Sequence, residues 1–171
     1  MRKKIVAVIG PSQSKCSKDT YEFAEQLGHT LASRGLSIVC GGKGGVMEAV
    51  CKGAKLSDQT FNGATIGILP EDNDEQVNEY VDIVVPTGIG IARNIVIINM
   101  ADVVIALAGG SGTLSELAFA WQKNKPVFAF SQYPGWAAKL AGEQIDNARE
   151  DKIIRLDSMQ QLSTHLDKIG L

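Results

Sequence analysis

The sequence predicts a doubly wound α/β domain with a mostly parallel sheet and helices on both of its faces. Short β-branched runs alternate along the chain with longer segments of helical spacing. Several of these runs, such as the one at 103–108, are apolar throughout, which is typical of strands buried on both faces of a parallel sheet. No linker or low-complexity stretch interrupts the alternation, so we expect one domain over residues 1–171.

The elements follow one another regularly from the N-terminus. The run KIVAVIG predicts a first strand, and the segment after it predicts a helix that ends at Gly35. Pro70 and Pro86 end the third and fourth strands, because proline cannot donate to a ladder of backbone hydrogen bonds. The predicted strands are 4–10, 36–40, 64–70, 80–86, 103–108, 126–131 and 152–156. The predicted helices are 19–35, 45–57, 89–100, 113–124, 136–149 and 158–169.

The charge balance and the lengths of the apolar runs exclude several classes of protein. Seventeen Lys and Arg against nineteen Asp and Glu give a net charge of -2, whereas a protein that wraps nucleic acid needs a concentrated basic face. No apolar run is long enough to span a membrane, and the apolar part of MRKKIVAVIG is too short for a signal peptide. We therefore expect a cytoplasmic protein that binds neither nucleic acid nor membrane.

The three cysteines predict neither a disulfide framework nor a metal site. Cys16, Cys40 and Cys51 are an odd number and include no C-x-x-C pair, and the two histidines stand apart from them. We expect reduced thiols, no structural metal and no resident cofactor.

The loops after the predicted strands carry the informative residues. In a parallel sheet these loops emerge at the carboxyl edge, where such folds bind ligands. Two of them, in VCGGKGGVMEAV and LAGGSGTLSELA, share a Gly-Gly-x-Gly bend followed by a glutamate. Glu48 and Glu116 are therefore expected at equivalent places near the starts of two helices. Both bends should present unpaired amide groups to the same edge.

Such a bend predicts an anion site. Glycine permits positive φ and removes the side chain that would hold a ligand away from the backbone. A helix N-terminus behind the bend favours negative charge, most commonly a phosphate. The predicted phosphate-binding residues are Ser12, Gly41, Gly42, Gly44, Gly45, Gly109, Gly110, Ser111, Gly112 and Thr113.

The two familiar glycine fingerprints do not fit this sequence. The first strand is followed by GPSQS rather than G-x-G-x-x-G, and the second strand ends in Cys40 rather than an acidic residue for a ribose. Neither bend ends in Gly-Lys-Ser/Thr, so a nucleoside-triphosphatase loop is also disfavoured. The remaining ligands are a mononucleotide or a sugar phosphate.

A purely structural alternative explains the same glycines. Gly-rich turns from strand to helix also allow the helix and the strand to pack closely. In addition, TLSE at 113–116 is a capping box, in which Glu116 would bond back to the Thr113 amide.

The motif AGGSGTLSE resembles the P-G-G-x-G-T-x-x-E motif of the LONELY GUY-type and molybdenum-cofactor-carrier-type Rossmann proteins, a family often mislabelled as lysine decarboxylases. The likeness covers nearly the whole chain, and GGKGGVMEA, TIGILP and GIGIARN are closer to the cofactor-carrier branch. Arg93 stands sixteen residues before Gly109, where the LONELY GUY enzymes have an essential arginine. Ala108, Asn94 and Glu48 replace a proline, a lysine and a glycine of that pattern.

The resemblance implies two catalytic candidates, Arg93 and Glu116. If a nucleotide phosphate lies on 109–113, Glu116 would stabilise positive charge at the anomeric carbon or hold the attacking water. Arg93 lies in an otherwise apolar helix and needs an anionic partner, which could be Glu48, Glu116, Asp102 or a substrate phosphate.

Three functions are therefore open. The first is a nucleotide-binding phosphoribohydrolase that releases a free base and ribose 5-phosphate from a nucleoside 5′-monophosphate. The second is a non-catalytic carrier of molybdenum cofactor or another phosphorylated ligand. The third is a structural oligomer whose glycines serve packing alone. Lysine decarboxylation is rejected, because it would need a pyridoxal lysine in a much larger chain.

The sequence also predicts a homo-oligomer, either a dimer or a higher even-numbered assembly. The helices predicted at 89–100 and 113–124 are apolar on more faces than one sheet can cover, which is typical of a buried or interfacial helix.

Overall fold

The strands of the computed structural model, which describes residues 2–171, form one parallel seven-stranded sheet. The order of the strands is β4-β3-β2-β1-β5-β6-β7, and every neighbouring pair is parallel. The strands are β1 Ile5–Ile9, β2 Ser37–Cys40, β3 Thr65–Leu69, β4 Ile83–Pro86, β5 Val103–Leu107, β6 Val127–Phe130 and β7 Ile154–Leu156. The predicted α/β fold class is confirmed.

Helices cover both faces of the sheet. They are α1 Lys18–Ser33, α2 Val46–Lys55, α3 Asn94–Met100, α4 Ser111–Gln122, α5 Trp136–Leu140 and α6 Met159–Lys168. Two 3-10 turns, Gln13–Lys15 and Gly90–Arg93, precede α1 and α3. None of the helices within residues 2–171 is long and apolar enough to cross a membrane.

Side chains of β1 alternate between two apolar cores, one on each face. Val6 and Val8 pack with α1, α2 and α6, whereas Ala7 and Ile9 pack with α3, α4 and α5. This alternation is the period-two geometry of a strand, and it explains why β1 reads as an unbroken apolar run. The sequence predicts strands that are buried on both faces, whereas the edge strand β4 is partly exposed.

Two predicted helices have different bounds in the structure. The segment predicted as a helix at 89–100 begins with a 3-10 turn, and only 94–100 is α-helical. The helix predicted at 136–149 ends at Leu140, because Gly142 has φ 88 and its amide donates to Ile153 O at 2.9 Å. The indole Nε1 of Trp121 donates a hydrogen bond to Asp146 Oδ1 at 2.8 Å, which attaches the loop at 141–152 to α4.

The order of the strands reverses between β1 and β5. The connection after β1 leads toward β2, and the connection after β5 leads the other way, toward β6. In open parallel sheets this switch point leaves a crevice at the carboxyl ends of the two strands. The loops that follow β1 and β5 therefore form the walls of the expected ligand site.

Candidate functional site

A cavity of about 200 Å³ lies in this crevice. Its walls come from the loop after β1, the start of α4, and the 3-10 turn that contains Arg93. The predicted site residues that line it are Ser12, Gly41, Arg93, Gly110, Ser111, Gly112, Thr113 and Glu116. Four other predicted residues, Gly42, Gly44, Gly45 and Gly109, do not line it.

The first turn of α4 supplies unpaired backbone donors to the cavity. The helix begins at Ser111 with Gly110 as its N-cap, and no side chain caps it. The amides of Gly110, Ser111, Gly112 and Thr113 donate to no group in the described part of the chain. Because the positive end of the helix dipole lies at the same place, this turn is suited to an anion.

The backbone before this turn is fixed by α5. The carbonyl oxygens of Ala108 and Gly109 accept hydrogen bonds from the amides of Ala137 at 2.9 Å and Trp136 at 3.0 Å. Gly109 has φ 89, and a Cβ on it would overlap the Thr113 side chain. Gly109 therefore contributes to the shape of the turn without lining the cavity.

The structure corrects the capping-box interpretation of TLSE. Thr113 is the third residue of α4, so Glu116 lies on the second turn rather than the first. The Glu116 carboxylate lines the cavity, is only 8% exposed, and accepts no hydrogen bond from any of residues 2–171. It is thus a largely buried carboxylate that faces the cavity and lacks a hydrogen-bond donor among the described residues, and a ligand with a donor group would satisfy it.

Burial raises the pKa of Glu116 to about 7, and the nearby Arg93 only partly opposes this effect. The Arg93 Nη1 lies 3.7 Å from Glu116 Oε1, which is an ion-pair distance but too long for a hydrogen bond. Glu116 is therefore partly protonated near neutral pH, and its protonated form is a hydrogen-bond donor.

Three carboxylates are candidate partners of Arg93, and the structure brings Glu116 close to it but not Glu48 or Asp102. Glu48 accepts a hydrogen bond from the Tyr21 hydroxyl at 3.0 Å, and Asp102 pairs with Arg2 at 2.6 Å. The Arg93 guanidinium packs against Gly41, where a Cβ would overlap it and would lie 2.6 Å from Met47 Sδ. The buried Nε of Arg93 has no partner within the described residues.

Asn94 connects Arg93 to the first turn of α4. Its Oδ1 accepts from Arg93 Nη1, and its Nδ2 donates to Ser115 Oγ at 2.9 Å. Ser115 Oγ then donates to Gly112 O at 2.6 Å. A lysine at position 94 could not accept from the guanidinium, because an ammonium group has no acceptor. Asn94, which replaces the lysine of the LONELY GUY pattern, is therefore part of a continuous chain of hydrogen bonds from Arg93 to Gly112.

The bend at 41–45 does not mirror the bend at 109–113. Gly42 and Gly45 have φ 73 and 78, which delays the start of α2 to Val46. Its first amide is already bonded to Pro11 O at 3.1 Å, and a Cβ on Gly45 would lie 2.5 Å from that oxygen. The expectation that Glu48 and Glu116 occupy equivalent places is wrong, because Glu48 is in the first turn of its helix.

Residues of the acidic segment at 70–80 form hydrogen bonds and an ion pair with the bend at 41–45. The backbone amide and the side-chain amide of Asn78 donate to Gly42 O at 2.9 and 3.0 Å. Lys43 Nζ lies 2.6 Å from Glu71 Oε1, and the lysine lowers the pKa of Glu71. The contacts of Gly42 and Gly45 fit the structural alternative for this bend, and phosphate binding by Gly42, Gly44 and Gly45 stays a prediction.

Lys15, Met47 and Ile91 are among the lining residues that the sequence did not predict. Lys15 ends the 3-10 turn after β1, and its Nζ lies 3.9 Å from the position that a Cβ on Gly110 would occupy. Its position directly after GPSQS was the available signal. Ile91 stands between glycine and alanine in the turn that ends at Arg93 and is 89% exposed.

The cysteines are closer together than their spacing suggested. Cys40 and Cys51 are buried with their Sγ atoms 3.7 Å apart, and Cys40 Sγ accepts the Gly42 amide at 3.4 Å. Across residues 2–171 no group of three or more potential metal-ligating side chains occurs.

The fold and the crevice define a Rossmann-like α/β protein with a small cavity at its switch point. Residues 3–163 match the SLOG cluster4 family, and the chain belongs to that family.

Several known proteins are similar to this chain. An uncharacterized protein of Archaeoglobus fulgidus is 39% identical over 122 residues, which cover 71% of this chain and 76% of the relative. The molybdenum cofactor binding protein of Rippkaea orientalis has 35% identity and a TM-score of 0.86, covering 100% of this chain and 99% of its own. The molybdenum cofactor carrier protein of Chlamydomonas reinhardtii has 27% identity and a TM-score of 0.82, with 98% of each chain covered. The resemblance to the cofactor-carrier branch is confirmed, and the LONELY GUY resemblance stays a prediction.

Proposed function

We propose that this protein binds and carries a phosphorylated small molecule, with the phosphorylated pterin of molybdenum cofactor as the preferred cargo. The observation that carries the proposal is one cavity that contains both the unpaired amides of the first turn of α4 and the Glu116 carboxyl group, which has no hydrogen-bond donor among the described residues. The amides would hold the phosphate, and Glu116 would meet a polar group further along the ligand. The similarity to two proteins described as binding or carrying molybdenum cofactor supports this choice of cargo.

The size of the cavity also supports a carrier. Pockets that enclose a whole ligand usually measure about 300–1,000 Å³. A cavity of about 200 Å³ accommodates a phosphate and the adjoining part of a ligand, while the ring system extends beyond the mouth. An exposed ring is accessible to a receiving protein, which suits a molecule that must be handed over intact.

A phosphoribohydrolase is the second candidate, and the pair of Arg93 and Glu116 favours it. Glu116 faces the cavity, and its pKa of about 7 leaves part of it ionised at neutral pH, the form that would orient water or stabilise an oxocarbenium-like charge. Two departures from the hydrolase pattern weigh against it. Asn94 replaces the lysine, and Ala108 has φ 47, a conformation that proline cannot adopt because its φ is about −65°.

Retention of intact cofactor tests the carrier proposal. Protein mixed anaerobically with molybdenum cofactor released from a molybdoenzyme should coelute with molybdenum and pterin in gel filtration. We expect a stoichiometry of about one cofactor per chain, because each chain has this cavity at its switch point. Gel-filtration fractions without molybdenum and pterin would contradict the proposal.

The predicted oligomer is also a proposal, and exposed apolar side chains beside the cavity support it. Ile91 is 89% exposed and Ile89 is 50% exposed, and α3 and α4 carry further half-buried apolar residues. Exposed apolar side chains that form a contiguous patch are typical of an interface between subunits. We expect an even-numbered assembly at micromolar concentration, which light scattering can measure.

Replacing Ile91 with aspartate should dissociate this assembly, because burying an unpaired charge in an interface is strongly unfavourable. The matched control is Leu56→Asp, at a residue that is 60% exposed at the end of α2 and does not line the cavity. A parent protein that is monomeric at micromolar concentration would refute the prediction.

A further inference from the structure

The charged residues that line the cavity have a net positive charge. The charged residues that line it are Lys15, Arg93 and Glu116. Arg93 and Glu116 face each other at 3.7 Å, so their charges largely offset one another when Glu116 is ionised. Lys15 forms no ion pair with any of residues 2–171. The N-terminus of α4 adds about half a positive charge.

Lys15 is placed over the anion-binding turn itself. The Gln13–Lys15 turn is closed by a hydrogen bond from the Lys15 amide to Ser12 O at 3.0 Å. This turn directs the lysine across the crevice from β1 toward β5, and its Nζ comes within 3.9 Å of the Cβ position of Gly110. An anion on the amides of 110–113 would therefore lie within reach of this ammonium group.

We infer that Lys15 makes this site select a phosphate monoester, which is a dianion, over a phosphate diester, which is a monoanion. The inference rests on the proposed function, because it concerns the same turn. Four amides and the helix dipole can satisfy a single negative charge. The second negative charge of a monoester requires a full positive charge nearby, and Lys15 supplies it. The ligand class is thus a monoester of a pterin, a nucleoside or a sugar, and not a dinucleotide.

Arg93 does not perform this role. Its Nη1 is shared between Asn94 Oδ1 and Glu116, and its guanidinium is packed against Gly41 on the side of β2. Lys15 is exposed and carries no competing partner among the described residues, so its charge is available to the ligand. The two cations therefore act on different parts of the site.

Inorganic phosphate and dimethyl phosphate test the inference without depending on the ring of the natural ligand. The ¹⁵N-labelled protein is titrated with each anion at about pH 8, where inorganic phosphate is mostly a dianion, and the amide resonances of Gly110 and Gly112 are followed. The parent should bind phosphate about tenfold more tightly than dimethyl phosphate, because a charged hydrogen bond adds to the amide contacts.

Lys15→Gln should lose about tenfold in phosphate affinity and bind dimethyl phosphate as the parent does, so that the preference disappears. The matched control is Lys18→Gln, which removes an exposed lysine that pairs with Glu22 and does not line the cavity. A Lys15→Gln variant that keeps the parent's preference for phosphate overturns the inference and leaves the proposed function standing. A parent whose 110–113 amides respond to neither anion overturns both.

Discussion

Replacing Gly112 with leucine should abolish binding of the phosphorylated ligand while the protein stays folded. A Cβ on Gly112 would meet nothing within 4 Å in the described structure, so the chain itself accommodates the new side chain. The leucine would project from the first turn of α4 beside the cavity and occupy the place of the phosphate. We expect an affinity loss of at least about a hundredfold, because two hydrogen bonds to a charged group contribute about 3 kcal/mol.

Isothermal titration calorimetry with a phosphorylated pterin measures this loss, and thermal unfolding checks the fold. Leucine also has a higher helix propensity than glycine, by about 0.5–1 kcal/mol, so Gly112→Leu should not lower the melting temperature. Gln122→Leu is the matched control, because it adds the same side chain at the exposed end of the same helix. Unchanged affinity in Gly112→Leu would rule out the first turn of α4 as the site.

The free energy of unfolding should decrease as the pH rises from about 5 to 7.5, and Glu116 is the cause. In the folded protein its carboxyl group keeps its proton up to a pKa of about 7, whereas the ordinary value is 4.5. Between these two values the folded state binds more protons than the unfolded state, so stability falls with rising pH. The full difference is about 3 kcal/mol.

Glu116→Gln should remove most of this pH dependence, because glutamine is similar in shape and does not titrate. Urea denaturation at several pH values gives the free energies for the parent and the variant. Carboxyl groups whose pKa is lowered, such as those of Asp82 and Asp102, act below this pH range and should not disturb the comparison. A parent whose stability is constant or increases across this range would show that Glu116 is ionised in the folded protein.

The strands and the ligand-binding edge could be predicted from the sequence because they depend on local signals. An apolar run with a glycine bend after it, as at 103–112, indicates both a buried strand and the loop at its carboxyl end. The similar motif at 41–48 was misleading, because the φ values of Gly42 and Gly45 depend on the contact of this bend with Pro11 and Asn78. Those contacts join distant parts of the chain.

The site itself was predictable only in part for the same reason. Arg93 and Glu116 were paired through the resemblance, and the structure brings them to 3.7 Å. The role of Asn94 as the link between Arg93 and Ser115 depends on how α3 packs against α4. Lys15 is one exposed lysine among several, and only the placement of β1 beside β5 brings it over Gly110.

The fate of a bound nucleoside 5′-monophosphate tests the carrier account most directly against hydrolysis. Protein and adenosine 5′-monophosphate are incubated together, and chromatography measures intact nucleotide and free adenine over time. We expect the parent and Glu116→Gln both to leave the nucleotide intact, because a carrier holds the phosphate without cleaving the glycosidic bond. Release of adenine by the parent that Glu116→Gln abolishes would contradict the carrier function and establish the phosphoribohydrolase.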